Sequence, residues 1–459
     1  MTTSVRVTAS APPHRRPAVG TTTLAARAAY VLRRNDLGTM TAAAPRLYPH
    51  MWSWDAAFIS VGIAQLSVER AITELETLLA AQWSTGMLPH IVFSPQSTGY
   101  FPGPDRWGCA QLAGAAPGAP ETSGICQPPV HAIALQRIVE TARRGSAQDR
   151  SLADDFVDRA WAPLMNWHRW LAEQRDPRGT GRLTVHHGWE SGMDNSPRWD
   201  APYRGVVVGQ ELPPYRRRDT EFVADASHRP SDREYDRYLW LIEEMRQAGY
   251  DDARVRETSS FAVQDVLMSA IFALACDALA DLGDERRGRR DDIRELRVWA
   301  ERFRSGVAAS LDPLTGLARD RDLRTGQWLG TQTLAGFAPI LCGGLGQADE
   351  RRMLALFDSD QWCGHPGLLA AVPPSASPAH PGFRPREYWR GPQWPVISWL
   401  FSWAFARRGW ADRGACLREE SLRLVADGTF AEYYDPFTGQ PLGSLNQSWT
   451  AAVTLDWLC

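Results

Sequence analysis

The chain has 459 residues, 44% of them hydrophobic, enough to bury a large core, and its formal charge of −3 offers no field that would gather nucleic acid or an anionic membrane. All fifty basic residues are arginine, so chemistry that needs a lysine (a Walker A phosphate clamp, a Schiff base, the kinase strand lysine) is excluded. Seven cysteines without a CxxC pair, ten histidines without ligand spacing, and the absence of HExxH, GxSxG and a strand-borne GxGxxG leave no metal, serine-hydrolase or dinucleotide signature.

Along the chain, residues 1–20 are rich in Ala, Pro, Thr and Arg and read as a disordered segment without the apolar run of a signal peptide. No apolar run approaches the roughly twenty residues of a membrane span, so a cytoplasmic protein is expected. Residues 21–459 read as one domain. Apolar residues recur at helical spacing in 23–34, 55–82, 129–143, 151–173, 233–247, 258–282, 291–309, 347–357, 393–407, 412–425 and 447–458. Two short segments read as strands. They are "GRLTVHH" after the turn "DPRGTG", and "TFAEYYDPFTG", where Asp435-Pro436 and Gly439 mark a turn. No fixed-period repeat makes the chain a solenoid. An all-α array is therefore expected, with a multi-helix bundle as the alternative. Segments 109–124 and 201–232 have the length and composition of lids.

The chemistry-bearing motifs fall between the helices, where a rigid scaffold usually carries function. In order they are "LYPHMWSWD" (47–55), "GYFPGPDRWG" (99–108), "TSGICQPPVHA" (122–132), "GWESGMDNSPRWD" (188–200), "HRPSDREYDRYLW" (228–240), "REYWRGPQWP" (386–395), "FAEYYDPFTG" (430–439) and "LNQSWTAAVTLDWL" (445–458). Each sets an aromatic ring beside a carboxylate, amide or guanidinium. A pyranose asks for that mixture, because its C–H face stacks on an indole or phenol and its hydroxyls need polar partners. Of the twenty tryptophans, Trp161, Trp167, Trp170, Trp240 and Trp299 lie on helical faces and read as packing. Trp52, Trp54, Trp189, Trp389 and Trp394 sit beside Pro, Gly and charges and read as ligand contacts; Tyr388, beside Trp389, and Trp449, in the last motif, are placed with them. Glu190 and Asp194 are four residues apart, but Gly192 and Ser196-Pro197 argue for a structured loop over a helix. Asp194 beside Asn195 reads equally well as an Asx turn or cap, and Glu432 as a residue facing solvent or a site. Pattern alone reaches a helical protein that handles sugars.

The blocks "WSWDAAF", "WESGMDNSPRWD", "EYWRGPQWP" and "FAEYYDPFTG" followed by "QSWTAA" resemble, in order, the signature blocks of bacterial members of glycoside hydrolase family 63, the glucosylglycerate and mannosylglycerate hydrolases above all. The resemblance runs from about residue 45 to the C-terminus. It implies an (α/α)6 toroid with short strands and long loops at the active-site mouth, and inverting hydrolysis of an α-linked glucosyl or mannosyl unit without metal or organic cofactor. By the same resemblance Asp194 matches the general acid and Glu432 the general base. Trp52, Trp54, Asp55, Glu190, Trp389, Gly391, Trp394 and Gln447 match positions that hold the sugar, and Tyr48 and Trp52 a closing loop. Tyr100, Gln127, Arg229 and Tyr235 match positions that grip the aglycone, and an arginine fork is the natural partner of a glycerate carboxylate. Glu190 is then the expected neighbour that raises Asp194. A small sugar acid is the expected partner, nucleic acid and membrane are not, and a homo-oligomer is left open. The competing expectations are a trehalase-like or oligosaccharide α-glucosidase, a sugar epimerase drawing on His131, His187 or His228, and a non-catalytic sugar-binding protein.

Overall fold

A computed structural model describes residues 19–459 apart from 98, 222, 224, 285, 287 and 288. The segment read as disordered therefore lies, up to residue 18, outside the described residues. Helices dominate. Those that organise the fold are α1 (Thr21–Arg34), α2 (Ser53–Ala64), α3 (Val68–Ala80), α4 (His131–Arg144), α5 (Ala147–Trp170), α6 (Asp232–Gln247), α7 (Val266–Asp284), α8 (Arg290–Ala308), α9 (Ala338–Cys342), α10 (Gln347–Phe357), α11 (Pro395–Arg407), α12 (Ala411–Leu424) and α13 (Ser448–Leu458).

Two kinds of helix alternate, and their apolar patterns explain where they lie. In α2, Ser53 to Ala64 are all buried, and α7, α11 and α13 are nearly so. Such helices are apolar all round and belong inside. α3, α5, α8 and α12 bury one stripe and face solvent with the other. The inner contacts run α2 to α4, α4 to α7, α7 to α9, α9 to α11, α11 to α13, and α13 back to α2. Behind them α3 packs on α2, α5 on α4, α8 on α7, α10 on α9, α12 on α11 and α1 on α13. The seam between α2 and α13 is close: a Cβ on Gly62 would run into the backbone of Ala452, so a side chain there would push the helices apart.

The periodicity placed most helix ends within four residues, the start of α5 at Ala147 being the furthest of these, and three departures stand out. The single helix expected over 55–82 is two, broken at Gln65 and restarted where the Ser67 hydroxyl accepts from Arg70 N. The expected helix over 258–282 begins late, because Val263–Asp265 forms a strand and α7 starts only at Val266. α9, five residues long, gave no periodic signal. The helix α7 also answers the membrane expectation differently: it is long and apolar enough to cross a bilayer, yet 89% of its most apolar window is buried inside the protein.

Short antiparallel strands fill the connections. β1 (Met51–Trp52) pairs with β2 (Ile91–Val92), Trp52 opposite Ile91. β3 (Leu183–Val185), β4 (Val263–Asp265), β5 (Asp320–Asp322) and β6 (Trp328–Leu329) form one four-stranded sheet with Leu183 opposite Asp265. β7 (Tyr433–Tyr434) pairs with β8 (Pro441–Leu442). β3 and β7 fall inside the two segments read as strands. Beside the sheet, the buried Arg198 holds Asp265 through both amino groups at 2.9 and 3.1 Å and reaches Asp320 at 3.2 Å. That ion cluster locks residues 197–199 onto β4 and β5.

Candidate active site

One cavity of about 320 Å³ opens where several inner helices begin. Trp54 and Asp55 come from the first turn of α2, Gln127 from the approach to α4, Tyr388 from the approach to α11, and Gln447 and Trp449 from the start of α13. Helix N-termini present unpaired N–H groups and positive dipole ends, a suitable floor for a cavity rich in carboxylates. The cavity also receives Tyr48, Trp52, Tyr100, Trp189, Asp194, Arg229, Tyr235 and Glu432. Fourteen of the eighteen residues singled out in the sequence therefore meet in one place.

The other four stand behind it. Trp389 and Trp394 stack face to face at 3.6 Å with planes 2° apart, and Trp394 stacks in turn on Tyr433 at 4.7 Å. Both indoles are spent on each other, so they support Tyr388 and lie outside the lining. Gly391 backs onto the Arg384 carbonyl, which a Cβ would approach to 2.5 Å. Glu190 departs most from expectation. It is fully buried, pairs with Arg175 at 2.6 and 3.0 Å, and accepts from the backbone N–H of His186 at 2.6 Å. It ties the loop after β3 to the end of α5 and does not face the cavity.

Asp194 lies in the loop between two short 3-10 turns, Gly188–Ser191 and Pro197–Trp199. The loop is pinned on both sides. Asn195 accepts from Trp389 N at 2.9 Å through its side chain, and the Trp199 indole donates to the Met193 carbonyl at 2.8 Å. Burial raises the Asp194 carboxyl to about 7; Glu432 adds to the rise and Arg229 opposes it. The expected influence of Glu190 is absent from that balance; its carboxylate is turned to Arg175.

Glu432 precedes β7. Its backbone N–H donates to Ser444 O at 2.8 Å, and its Oε2 accepts from Ser444 N at 3.1 Å. A side chain on Gly443, which has φ of 70°, would strike that carboxylate, so the turn "LGS" keeps the position free. Burial raises Glu432, while Arg229, the Ser444 N–H and the hydroxyls of Tyr48 and Tyr388 draw it back toward the ionised form. Asp55 is raised well above the usual carboxylate range by burial and by Glu432.

Aromatic rings line the rest. Trp52 meets Tyr48 and Tyr100 edge-on at 5.2 and 5.3 Å, and Trp54 meets Trp449 at 5.5 Å. On the far wall Arg229 donates from Nη1 to the Tyr48 hydroxyl and from Nε to Asp219 Oδ2, both at 3.2 Å, with its guanidinium 4.5 Å over the Tyr388 ring. The 201–232 segment thus reaches the cavity through Arg218, Asp219, Arg229 and Pro230, whereas 109–124 contributes no lining residue.

The sequence reading missed His90, Arg218, Asp219 and Tyr238. His90 sits in the apolar run "LPHIV", and Arg218-Asp219 in the stretch 201–232 that reads as a lid, so neither carries a site signal of its own without the fold. Of the histidines weighed for epimerase chemistry, His131 bonds Ser53 at 2.9 Å and His187 bonds Tyr238 O at 3.0 Å. Both are buried and held well below the ordinary imidazole range. His228 lies beside Arg386 and Asp225. Among the described residues no group of three potential metal ligands converges.

Comparison with known proteins agrees with this geometry. A family model described as the mannosylglycerate hydrolase MGH1-like glycoside hydrolase domain matches residues 48–450. The chain is 60% identical over 442 residues to the glucosylglycerate hydrolase of Mycolicibacterium hassiacum, covering 96% of this chain and 99% of that relative. It is also similar to crystal structures of the family 63 mannosylglycerate hydrolase of Thermus thermophilus. The complex with Tris and D-glycerate superposes with a TM-score of 0.85 at 39% identity, and the complex with glucose with 0.82 at 39%; each alignment covers 95% of this chain and 99% of the other.

Proposed function

The chain belongs to the mannosylglycerate hydrolase MGH1-like glycoside hydrolases of family 63, and on that footing we propose that it hydrolyses α-glucosylglycerate, with mannosylglycerate as a second substrate, by inversion at the anomeric carbon. The observation that carries the reading is that Asp194, Glu432 and the Arg229 fork share one aromatic-lined cavity. We read the closed circuit of inner helices with its outer layer as an (α/α)6 toroid and the cavity as its mouth.

The residues divide the work by their environments. The sugar stacks among Trp52, Trp54, Trp189 and Trp449, with Asp55, Gln127 and Gln447 meeting its hydroxyls. Asp194, protonated below about pH 7, gives its proton to the glycosidic oxygen as the C1–O bond breaks. Glu432 takes a proton from the water that attacks C1 from the opposite face. The products are the β-sugar and D-glycerate, and solvent returns the proton from Glu432 to Asp194. Arg229, Tyr100 and Tyr235 hold the glycerate, the carboxylate meeting the guanidinium.

Time-resolved proton NMR on α-glucosylglycerate, mannosylglycerate and trehalose tests this. Early appearance of β-hexose together with free glycerate is the expected result. Turnover of trehalose without release of glycerate would keep the acid and base and discard the glycerate subsite. No turnover of any of the three would return the chain to a binding role.

A further inference from the structure

We propose that Asp219 is a positioning residue: it tethers Arg229 to the aglycone wall of the cavity and keeps that guanidinium from pairing with Asp194 or Glu432. The inference rests on the acid, base and aglycone assignment above. Asp219 lies in the 201–232 segment, on the 3-10 turn Asp219–Glu221, and its carboxylate is held from two directions. Arg229 Nε donates to Oδ2 at 3.2 Å, and Arg217 donates to Oδ1 at 3.0 Å and to Oδ2 at 2.8 Å. Arg217 is itself anchored. Its guanidinium lies 4.5 Å over the Tyr235 ring, and Nη1 donates to Pro230 O at 2.6 Å and to Asp232 at the start of α6 at 2.9 Å. The position of Asp219 is thus inherited from α6, and Arg229 inherits its position from Asp219.

A tether is needed because of what else surrounds Arg229. An arginine on a flexible stem pairs most strongly with a carboxylate it can meet with two N–H groups. Around Asp194 lie Glu432, Asp55, Arg229 and the phenols of Tyr48, Tyr100, Tyr203, Tyr238 and Tyr388. Arg229 is the cation that lowers both Asp194 and Glu432. Were it loose, it would settle against one of them. Paired with Asp194 it would strip the acid of its proton, and paired with Glu432 it would occupy the base that must reach water. With Nε on Asp219 and Nη1 on Tyr48, the Nη2 edge has no protein partner among the described residues and is left for an incoming carboxylate. Asp219, itself on the cavity wall, thereby serves binding and catalysis through Arg229.

The test compares wild type, Asp219→Asn, Arg229→Gln and the double variant. It uses the pH profile of kcat/KM on α-glucosylglycerate and the carboxyl 13C titration of Asp194, assigned by its loss in Asp194→Asn. Asp219→Asn is expected to lower the Asp194 pKa by about half to one unit and to raise KM for glucosylglycerate on the order of tenfold. Asp219→Glu, which keeps the charge, should recover much of both. In the Arg229→Gln background the Asp219→Asn shift should vanish, since there is no guanidinium left to wander. An unmoved Asp194 titration in Asp219→Asn overturns the proposal. So does an equal shift with and without Arg229, which would mean that Asp219 acts by its own charge alone. If wild type releases no glycerate the functional reading fails, while the 13C titration still decides the tether.

Discussion

As the proposed general acid, Asp194 needs a proton near neutral pH, and the folded protein makes its ionisation costly in a way that can be measured. Its carboxyl is raised to about 7 against an unfolded value of about 3.8. A raised pKa means that the folded state binds the proton more tightly, so this group's contribution is fully present below about pH 4 and is lost as pH rises through about 7. Between those limits the loss amounts to up to about 4 kcal/mol. Asp194→Asn has nearly the same shape and nothing to ionise. It is expected to match wild type in thermal melting at pH 4, to melt several degrees higher at pH 8, and to lose on the order of 10² to 10⁴ in kcat. Equal melting at pH 8 would mean that the ionised aspartate is well accommodated, and the acid role would lose its physical basis. Glu432 is pushed up by burial too, but four groups draw it toward the charged form. The pH profile should therefore be a bell, its alkaline limb near 7 from Asp194 and its acid limb from Glu432.

Short connecting elements do as much to shape the site as the helices, and Glu190 shows how. Its carboxylate joins Arg175 in the π-helical turn at the end of α5, the His186 N–H after β3, and the 3-10 turn that precedes Asp194. Glu190→Gln would take from the Arg175 guanidinium, only 6% exposed, its ion-pair partner and leave it the weaker attraction of Asp252, which costs about 3 kcal/mol. A sharp fall in melting temperature is expected, with KM rising only through loosening of the loop. A stable Glu190→Gln protein with lost sugar affinity would return Glu190 to the sugar subsite. The same position marks the limit of reading the sequence. Residue types that bind sugars also make buried ion pairs and indole stacks, so "GWE" and "REYWRGPQWP" announced chemistry for Glu190, Trp389 and Trp394 that the fold spends on support. The helices were legible because burial imposes a period of about 3.6; β4 was not, because three residues of strand leave no period, and its Asp265 both caps α7 through the N–H groups of Leu267 and Met268 and pairs with Arg198, 67 residues away. That Asp194 and Glu432 meet in one cavity was legible through the order of whole blocks, and the place of Asp219 through none, since it depends on a partner ten residues on and an anchor in α6.

At the scale of the whole molecule, stability and chemistry occupy opposite ends of the inner helices. The site gathers at their N-terminal ends, and near the other end Asp456 of α13 collects partners from the helices around it. Trp399 of α11 donates to its Oδ2, and Gln65 at the end of α2 and Arg137 of α4 donate to its Oδ1, each at 2.8 Å. One carboxylate therefore joins four of the six inner helices, including the seam where the last helix meets α2. Closing a circuit from the two ends of a long chain is entropically unfavourable, and this cluster is placed where that closure must hold. Asp456→Ala removes the hub and leaves Arg137, 17% exposed, and the Trp399 indole without it. Allowing for the partial access of water, the loss is on the order of 2–3 kcal/mol, read as a lower melting temperature and faster hydrogen exchange in α2 and α13. Because Asp456 touches nothing in the cavity, kcat and KM at 25 °C should stay within about twofold of wild type. A variant that melts normally but turns over slowly would show instead that the two ends are coupled through the inner helices, and that the circuit transmits strain as well as resisting it.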